Sequence, residues 1–169
     1  MENYIIDTNV PLKATDTQST DMIDRLCAQR CFTFIKDIMS SDGIVVLDDG
    51  WEIINEYKKN IDMDSGENVA SQFLMWILRN MLTDRVALCS ITKTANNSYA
   101  EFPASPDLAK FDRSDRKFVA LAKAHPEHPS IYNGSDTDWW IFKEPLAKEG
   151  IHIAFLCEEY MRAKCKGSH

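Results

Sequence analysis

The chain has 169 residues, of which 44% are hydrophobic and 27% are charged, and its net charge at pH 7 is −7. This length and composition are ordinary for one globular domain with a sizeable core. The acidic balance argues against a broad electropositive surface for nucleic acid, but an acidic enzyme site that binds metal ions would contribute to the same balance.

No apolar segment approaches the ~20 residues of a membrane helix. The N-terminus carries Glu2 and Asp7 without a basic flank or a cleavage site of small residues. The sequence therefore predicts a cytoplasmic protein that has no membrane partner.

The first elements show clear periodicity. Residues 3–6, NYII, predict a short buried strand. Ser19-Thr20-Asp21 supplies good N-cap chemistry for a long helix, because short side-chain oxygens accept the free amide protons of a first turn. Apolar side chains then recur every three or four residues from Ile23 to Met39, which predicts one buried stripe along that helix.

A second strand and two helices follow. After Gly43, the β-branched run IVVL, residues 44–47, is typical of a strand that is buried on both faces. WEIINEYKKNI, residues 51–61, returns to helical spacing. Ser65-Gly66 predicts a break, and a further helix extends from Val69 to Met81.

The second half of the chain alternates in the same way. Residues 85–92 predict a strand, and residues 93–108 predict a long connection. The remaining elements are a helix in DRSDRKFVALAKAH, a strand in SIYNG, a short helix in TDWWIFKEPLAKEG, a strand in IHIAFLC and a terminal helix in EEYMRAK. This alternation predicts a three-layer α/β/α sandwich with a mostly parallel central sheet.

One domain is expected over residues 1–165, and residues 166–169 are expected to be a tail or a cloning remnant. Five cysteines are present, and none has the CxxC or Cys/His spacing of a zinc site. The sequence therefore predicts that Cys27, Cys31, Cys89, Cys157 and Cys165 are reduced thiols in the core or at the surface.

Acidic residues fall where such a sheet would place a site. In open α/β sheets, sites form outside the carboxyl ends of the strands, near the switch in strand order. Carboxylates gathered there raise one another's pKa, and hard divalent cations such as Mg²⁺ or Mn²⁺ relieve that cost. The candidates at this edge are Asp7, Glu56, Asp112, Asp115, Asp136 and Asp138.

Four motifs in order resemble the PIN domain family of metal-dependent nucleases. They are IIDTNV after the first strand, VVLDDGWEIINEY with its helix, DRSDRKFVALA, and the late acidic turn SDTDWW; a last strand in EGIHIAFLC follows them. The resemblance implies a Rossmann-like sheet and an endoribonuclease that hydrolyses phosphodiester bonds of RNA with Mg²⁺ or Mn²⁺. An inhibitor protein and a homodimer are partners that the resemblance allows.

The resemblance also assigns roles to single residues. It implies that Asp7, Glu56, Asp115 and Asp136 are the catalytic and metal-binding acids, with Asp138 as a fifth metal ligand. Thr8 and Asn9 would shape the turn below the metal, and Thr137 would hold the late loop.

Two ligand positions have competitors. Glu52 lies one helical turn before Glu56 on the same face, and Asp112 lies three residues before Asp115. Glu56 is preferred because it lies deeper in its helix, and Asp115 because it directly precedes the apolar periodicity. The chain is longer than typical small toxin members of the family, which counts against a simple toxin. RNA maturation and defence fit the resemblance as well.

A second hypothesis is a catalytically silent PIN-like module that binds protein or nucleic acid. Each acid taken alone is explained as well by a helix cap or a solvated helix face. The basic residues Lys93, Arg113, Arg116 and Lys117 could contact phosphates or lie on a solvated face.

Overall fold

A five-stranded parallel sheet lies at the centre of the protein in a computed structural model that describes residues 1–64 and 67–166. The strands are β1 (Asn3–Ile6), β2 (Ile44–Asp48), β3 (Val86–Cys89), β4 (Lys93–Thr94), β5 (Ser98–Tyr99), β6 (Ile131–Asn133) and β7 (Ile153–Phe155). The α-helices are α1 (Asn9–Lys13), α2 (Met22–Ser40), α3 (Glu52–Asn60), α4 (Val69–Asn80), α5 (Arg116–Ala124), α6 (Thr137–Ile141), α7 (Lys143–Lys148) and α8 (Glu158–Lys164).

The strand order places β1 in the middle of the sheet. The order is β3-β2-β1-β6-β7, and every pair in this sheet is parallel. The chain builds outward from β1 through β2 to β3, and it then returns to the other side of β1 to add β6 and β7. The switch in strand order therefore lies between β1 and β6, where a site is expected in folds of this kind.

Helices cover the sheet and bury it on both faces, which confirms the predicted α/β/α sandwich. Val45, Val46 and Leu47 of β2 are at most 1% exposed, as a strand covered from both sides requires. Helices α1 and α8 both pack against α2, and α3 packs against α5. Trp139 of α6 is fully buried among the aromatic rings of Phe111 and Phe118.

The long connection after β3 folds back onto the domain. Strands β4 and β5 form a small antiparallel hairpin whose turn contains Asn96 and Asn97 at positive φ, a conformation that asparagine tolerates. The Arg116 guanidinium donates hydrogen bonds to the carbonyl oxygens of Ala109 and Phe111. Arg116 is therefore buried and holds the connection against α5. It is not available to contact a phosphate and does not lie on a solvated helix face, which were the two roles that the sequence left open.

The prediction of reduced thiols is wrong for two of the cysteines. Cys27 of α2 and Cys157, directly before α8, form a disulfide across 130 residues, with their Cα atoms 5.2 Å apart. Helices α2 and α8 are neighbours, which brings the two side chains together. Among the described residues, Cys31, Cys89 and Cys165 are free thiols, as expected.

Two local predictions also need correction. The turn after Asp7 continues directly into the short helix α1, which the Thr-Asn pair did not predict. The predicted single helix over TDWWIFKEPLAKEG is divided at Phe142 into α6 and α7. Pro145 then lies in the first turn of α7. Backbone N–H groups in a first turn have no intrahelical acceptor, so the missing N–H of proline costs no hydrogen bond there.

Some predictions fall outside the described residues. The predicted break at Ser65-Gly66 and the tail residues 167–169 lie there. Within the described part of the chain, none of the helices combines the length and the apolar character that crossing a membrane requires.

Candidate metal centre

Three carboxylates from distant parts of the chain converge at the carboxyl edge of the sheet. Asp7 follows β1, Glu56 lies in α3, and Asp115 immediately precedes α5. One oxygen from each of them lies within 4.8 Å of the other two. Asp7 is 2% exposed and Asp115 is 7% exposed, so two of the three carboxylates are withdrawn from water.

The start of α3 is fixed by a buried carboxylate, and this sets the position of Glu56. Asp48 at the end of β2 accepts hydrogen bonds from the backbone N–H groups of Glu52 and Ile53, each at 2.9 Å. The hydroxyl of Tyr57 donates to the carbonyl oxygen of Ile6 at 2.5 Å, which ties α3 to the end of β1. Glu56, the neighbour of Tyr57, is thereby held beside Asp7.

A short 3-10 turn over Arg113–Asp115 positions Asp115. Asp112 begins this turn, and its side chain accepts from the backbone N–H of Ser114 at 2.8 Å. The apolar side of α5, including the fully buried Phe118, then anchors the helix in the core. Asp112 is exposed and acts as the cap, whereas Asp115 belongs to the group of three carboxylates.

Asp136 lies in the loop that follows β6, the strand next to β1. Its side chain accepts from the backbone N–H of Asp138 at 3.0 Å and so caps α6. Asp136 lies outside the group of three, but its charge raises the pKa of both Asp7 and Asp115. Asp138 is exposed and contributes only a charge near Asp136, so its role as a fifth ligand stays a prediction.

Burial and like charge hold the acids of this centre toward their protonated forms. Burial raises the pKa of Asp7 to about 7, and the charges of Asp136 and Glu56 add to this effect. Burial, with the charges of Asp7 and Asp136, raises the pKa of Asp115 to about 9. Burial also raises the pKa of Asp136. Near neutral pH these groups carry their full charge only if a cation compensates it.

Two asparagines orient Asp7. The Nδ2 atom of Asn9 donates to Asp7 Oδ2 at 2.6 Å, and its Oδ1 accepts from the backbone N–H groups of Gly134 and Ser135. Asn133, at the end of β6, donates from Nδ2 to the same oxygen of Asp7 at 3.3 Å. Asn133 was missed from the sequence, although a polar residue at the end of the buried run SIYN was a signal.

Asn133 also has an orphaned acceptor. Its side chain is fully buried, and its Oδ1 has no hydrogen-bond partner. A buried carbonyl oxygen without a partner is costly and rare in folded proteins. An uncompensated acceptor beside Asp7 adds to the excess of negative potential at this edge of the sheet.

Lys117 supplies the positive charge that faces the acids. It is 8% exposed, and its Nζ forms an ion pair with Glu56 Oε2. The other oxygen of Glu56 accepts from the hydroxyl of Thr8 at 2.5 Å. In the sequence, Lys117 cannot be told apart from an ordinary surface lysine. Its ion pair with Glu56 is visible only in the structure.

Glu52 and the other basic residues lie outside the group of three. Lys93 pairs with Glu52 Oε1 at 3.0 Å, and Arg113 donates to the carbonyl oxygen of Asn96. A polar groove of about 500 Å³ borders Glu56 on this side. Its lining includes Glu52, Asn55, Glu56, Lys59, Asn97 and Lys117.

The donor set fits a hard divalent cation. The converging atoms are carboxylate oxygens, which Mg²⁺ and Mn²⁺ prefer, and a bound cation would offset the burial and like charge that raise the pKa of Asp7 and Asp115. The residues that would hold such an ion are Asp7, Glu56 and Asp115, with Asp136 at the rim.

No protein-family model matches this chain, and the comparisons with curated proteins and with solved structures also returned no match. The resemblance to PIN domains therefore stays a prediction that rests on the motifs. A function has to be proposed from the geometry of the site.

Proposed function

We propose that the protein is a metal-dependent nuclease, an endoribonuclease that hydrolyses phosphodiester bonds of RNA with Mg²⁺ or Mn²⁺. The observation that carries the proposal is the convergence of Asp7, Glu56 and Asp115 beside the switch in strand order. Asp136 completes the proposed set, and Asp138 is kept as a fifth ligand. The order of the motifs that resemble PIN domains supports the same assignment.

Within this proposal, each side chain has a defined task. A bound divalent cation would polarise a phosphate oxygen and lower the pKa of a water molecule. Asp7 and Asp115 supply the carboxylates, and Asn9 and Asn133 hold Asp7 in one orientation. Lys117 carries a positive charge at the border of the polar groove, where a phosphate oxygen of an RNA strand could be contacted.

Cleavage of labelled RNA tests the proposal. Purified protein is incubated with one structured and one unstructured RNA, with Mn²⁺, with Mg²⁺ and with EDTA. Cleavage that depends on the cation and is lost in Asp7→Asn supports the proposal, because this substitution nearly keeps the shape and removes the charge. Equal cleavage with and without EDTA refutes it.

The chain offers matched controls for two of the acids. Glu56→Gln should abolish cleavage, whereas Glu52→Gln, one turn away and paired with Lys93, should leave most of it. Asp115→Asn should likewise abolish cleavage, whereas Asp112→Asn keeps a side chain that can cap the same turn. Equal effects within either pair would contradict the assigned site.

One observation favours the second candidate, a catalytically silent module that binds protein or nucleic acid. The Lys117 ion pair already compensates part of the acidic charge without a metal. Titration of the protein with Mn²⁺ in a calorimeter separates the two candidates, because uptake that Asp7→Asn abolishes supports the nuclease and lack of uptake supports the module. Four further points stay proposals: the RNA substrate, an inhibitor protein, a homodimer and a cytoplasmic location. The Cys27–Cys157 disulfide counts against a permanently reducing environment.

A further inference from the structure

A cluster of three sulfur atoms lies behind the loop that carries Asp136. Cys27 and Cys31 are one turn apart on α2, and Cys157 directly precedes α8. Each residue is at most 2% exposed. The Sγ atoms of Cys31 and Cys157 are 3.9 Å apart, and all three Sγ atoms lie within 4.8 Å of one another.

The sulfur atoms lie in tightly packed surroundings, and two of the three cysteines line a cleft at the surface. A Cβ atom at Gly134 would lie 2.9 Å from the Sγ of Cys31, so a larger residue there would press on the cluster. A narrow cleft at the surface reaches both Cys27 and Cys157. The ion pair between Arg30 and Glu159, 3.3 Å long, joins two residues that line this cleft.

The ligand chemistry of the cluster differs from that of the acidic centre. Thiolates are soft ligands that select Cu⁺ or Zn²⁺, whereas carboxylates select hard cations. A structural zinc site takes four protein ligands. Within the described residues, this group contains no histidine, aspartate, glutamate or fourth cysteine, so the available coordination is three sulfur atoms.

We propose that the reduced forms of Cys27, Cys31 and Cys157 together bind one Cu⁺ ion, and that the disulfide is the oxidised, metal-free form of the same site. A dithiol reductant gives two electrons and two protons to the Cys27–Cys157 bond and becomes a cyclic disulfide itself. The Cu⁺ ion then binds the three sulfur atoms and displaces their thiol protons to the solvent. This site is separate from the acidic centre and does not depend on the proposed nuclease activity.

The physical reason for a cation is charge. Three thiolates in an apolar interior are too costly without compensation, and burial raises the pKa of the Cys31 thiol to about 12. Lys13 is the cation that acts on Cys31, and it lowers the pKa only in part. A bound Cu⁺ ion offsets one of the three negative charges and Lys13 offsets part of the rest, while the bonds from copper to sulfur replace the S–H bonds that are lost.

Copper retention tests the proposal. The background is Cys89→Ser with Cys165→Ser, which removes the two partly exposed thiols and leaves the cluster intact. The protein is reduced with a dithiol, freed of it without oxygen, and titrated with Cu⁺ against a coloured Cu⁺ chelator. We expect one Cu⁺ per chain in the reduced protein, none in the oxidised protein, and a loss of affinity of about tenfold or more in Cys31→Ser.

Two controls keep the result decisive. Asp112→Asn in the same background should retain copper unchanged, because Asp112 is exposed and caps the turn before α5, away from the sulfur atoms. X-ray absorption of the copper-loaded protein should show three sulfur neighbours, a measurement that needs no cysteine variant to fold. Failure of the reduced protein to compete for Cu⁺, equal retention by Cys31→Ser, or nitrogen and oxygen neighbours around copper would each overturn the proposal.

Discussion

The substitution Asp7→Asn should stabilise the metal-free protein at and above neutral pH. The folded protein raises the pKa of Asp7 from 3.8 to about 7, mainly by burial. Between these values the folded state holds a proton that the unfolded chain has released. The stability that this proton contributes is complete below about pH 4 and is lost as the pH rises through about 7, so wild type should weaken over that range.

The magnitude follows from the pKa shift. A difference of about three pKa units at about 1.4 kcal/mol each gives an upper value of about 4 kcal/mol. Asparagine at this position has no charge to desolvate, and its amide oxygen can still accept from Asn9 and Asn133, which both donate to Asp7 now. At about pH 8 we therefore expect the variant to exceed wild type by about 2–4 kcal/mol in the free energy of unfolding.

Urea denaturation of chelator-treated protein measures this difference, with tryptophan fluorescence as the signal, since Trp139 is buried. Wild type, Asp7→Asn and the exposed control Asp112→Asn are compared from about pH 5 to about pH 8. Excess Mn²⁺ should stabilise wild type by about 2.7 kcal/mol at a concentration 100 times its Kd and leave Asp7→Asn unchanged. If wild-type stability stays level or rises with pH, or if Asp7→Asn weakens with the same slope, the electrostatic account of the site is wrong.

Three further substitutions or treatments probe other parts of the structure. Lys117→Met removes the cation paired with Glu56, so calorimetry should show Mn²⁺ binding about three- to tenfold tighter, whereas Lys59→Met in the same groove should change it little. Reduction of the Cys27–Cys157 disulfide in chelator-treated protein should lower the free energy of unfolding by about 2–4 kcal/mol. The control is Cys27→Ser, which lacks this disulfide, so the reductant should change its free energy of unfolding little. Gly134→Ala should cost about 1–3 kcal/mol in urea denaturation, because its Cβ would lie 2.9 Å from Cys31 Sγ and 3.0 Å from Asn9 Oδ1; an unchanged midpoint would show that the loop yields freely.

Local periodicity was sufficient to predict the main elements. The stripe of apolar residues in α2 predicts burial of one face, and the β-branched run of β2 predicts burial of both faces. Both patterns involve only residues that are close together in the chain. The parallel sheet then follows from the alternation of strands and helices. The expectation that Asp7 and Asp136 gather at one edge of the sheet needed only this alternation, whereas the adjacency of β1 and β6 is seen only in the structure.

Pairs of residues that meet across the fold could not be predicted in the same way. Nothing local relates Cys27 to Cys157, and the spacing rules for zinc sites gave no signal for a cluster that forms only when α2 meets α8. Lys117 occupies an ordinary position for a solvated lysine, and its burial depends on Glu56 in another helix. The preference for Glu56 over Glu52 rested on depth within the helix, and in the structure only Glu56 belongs to the group of three.

The loop between β6 and α6 contacts both candidate metal sites, and this predicts that they influence each other. Gly134 lies against the sulfur atom of Cys31, while its backbone N–H donates to Asn9, whose other side-chain atom holds Asp7. Reduction of the disulfide gives two thiols beside that of Cys31, which changes the space that Gly134 occupies, and Asn9 transmits the change to Asp7. We expect the Mn²⁺ affinity of reduced and oxidised protein to differ by about threefold or more in calorimetry, and Mn²⁺ to shift the equilibrium constant for reduction of the disulfide by the same factor, as linkage requires. Equal Mn²⁺ affinities in the two forms, with the disulfide state verified by mass measurement, would show that the loop keeps the two sites independent.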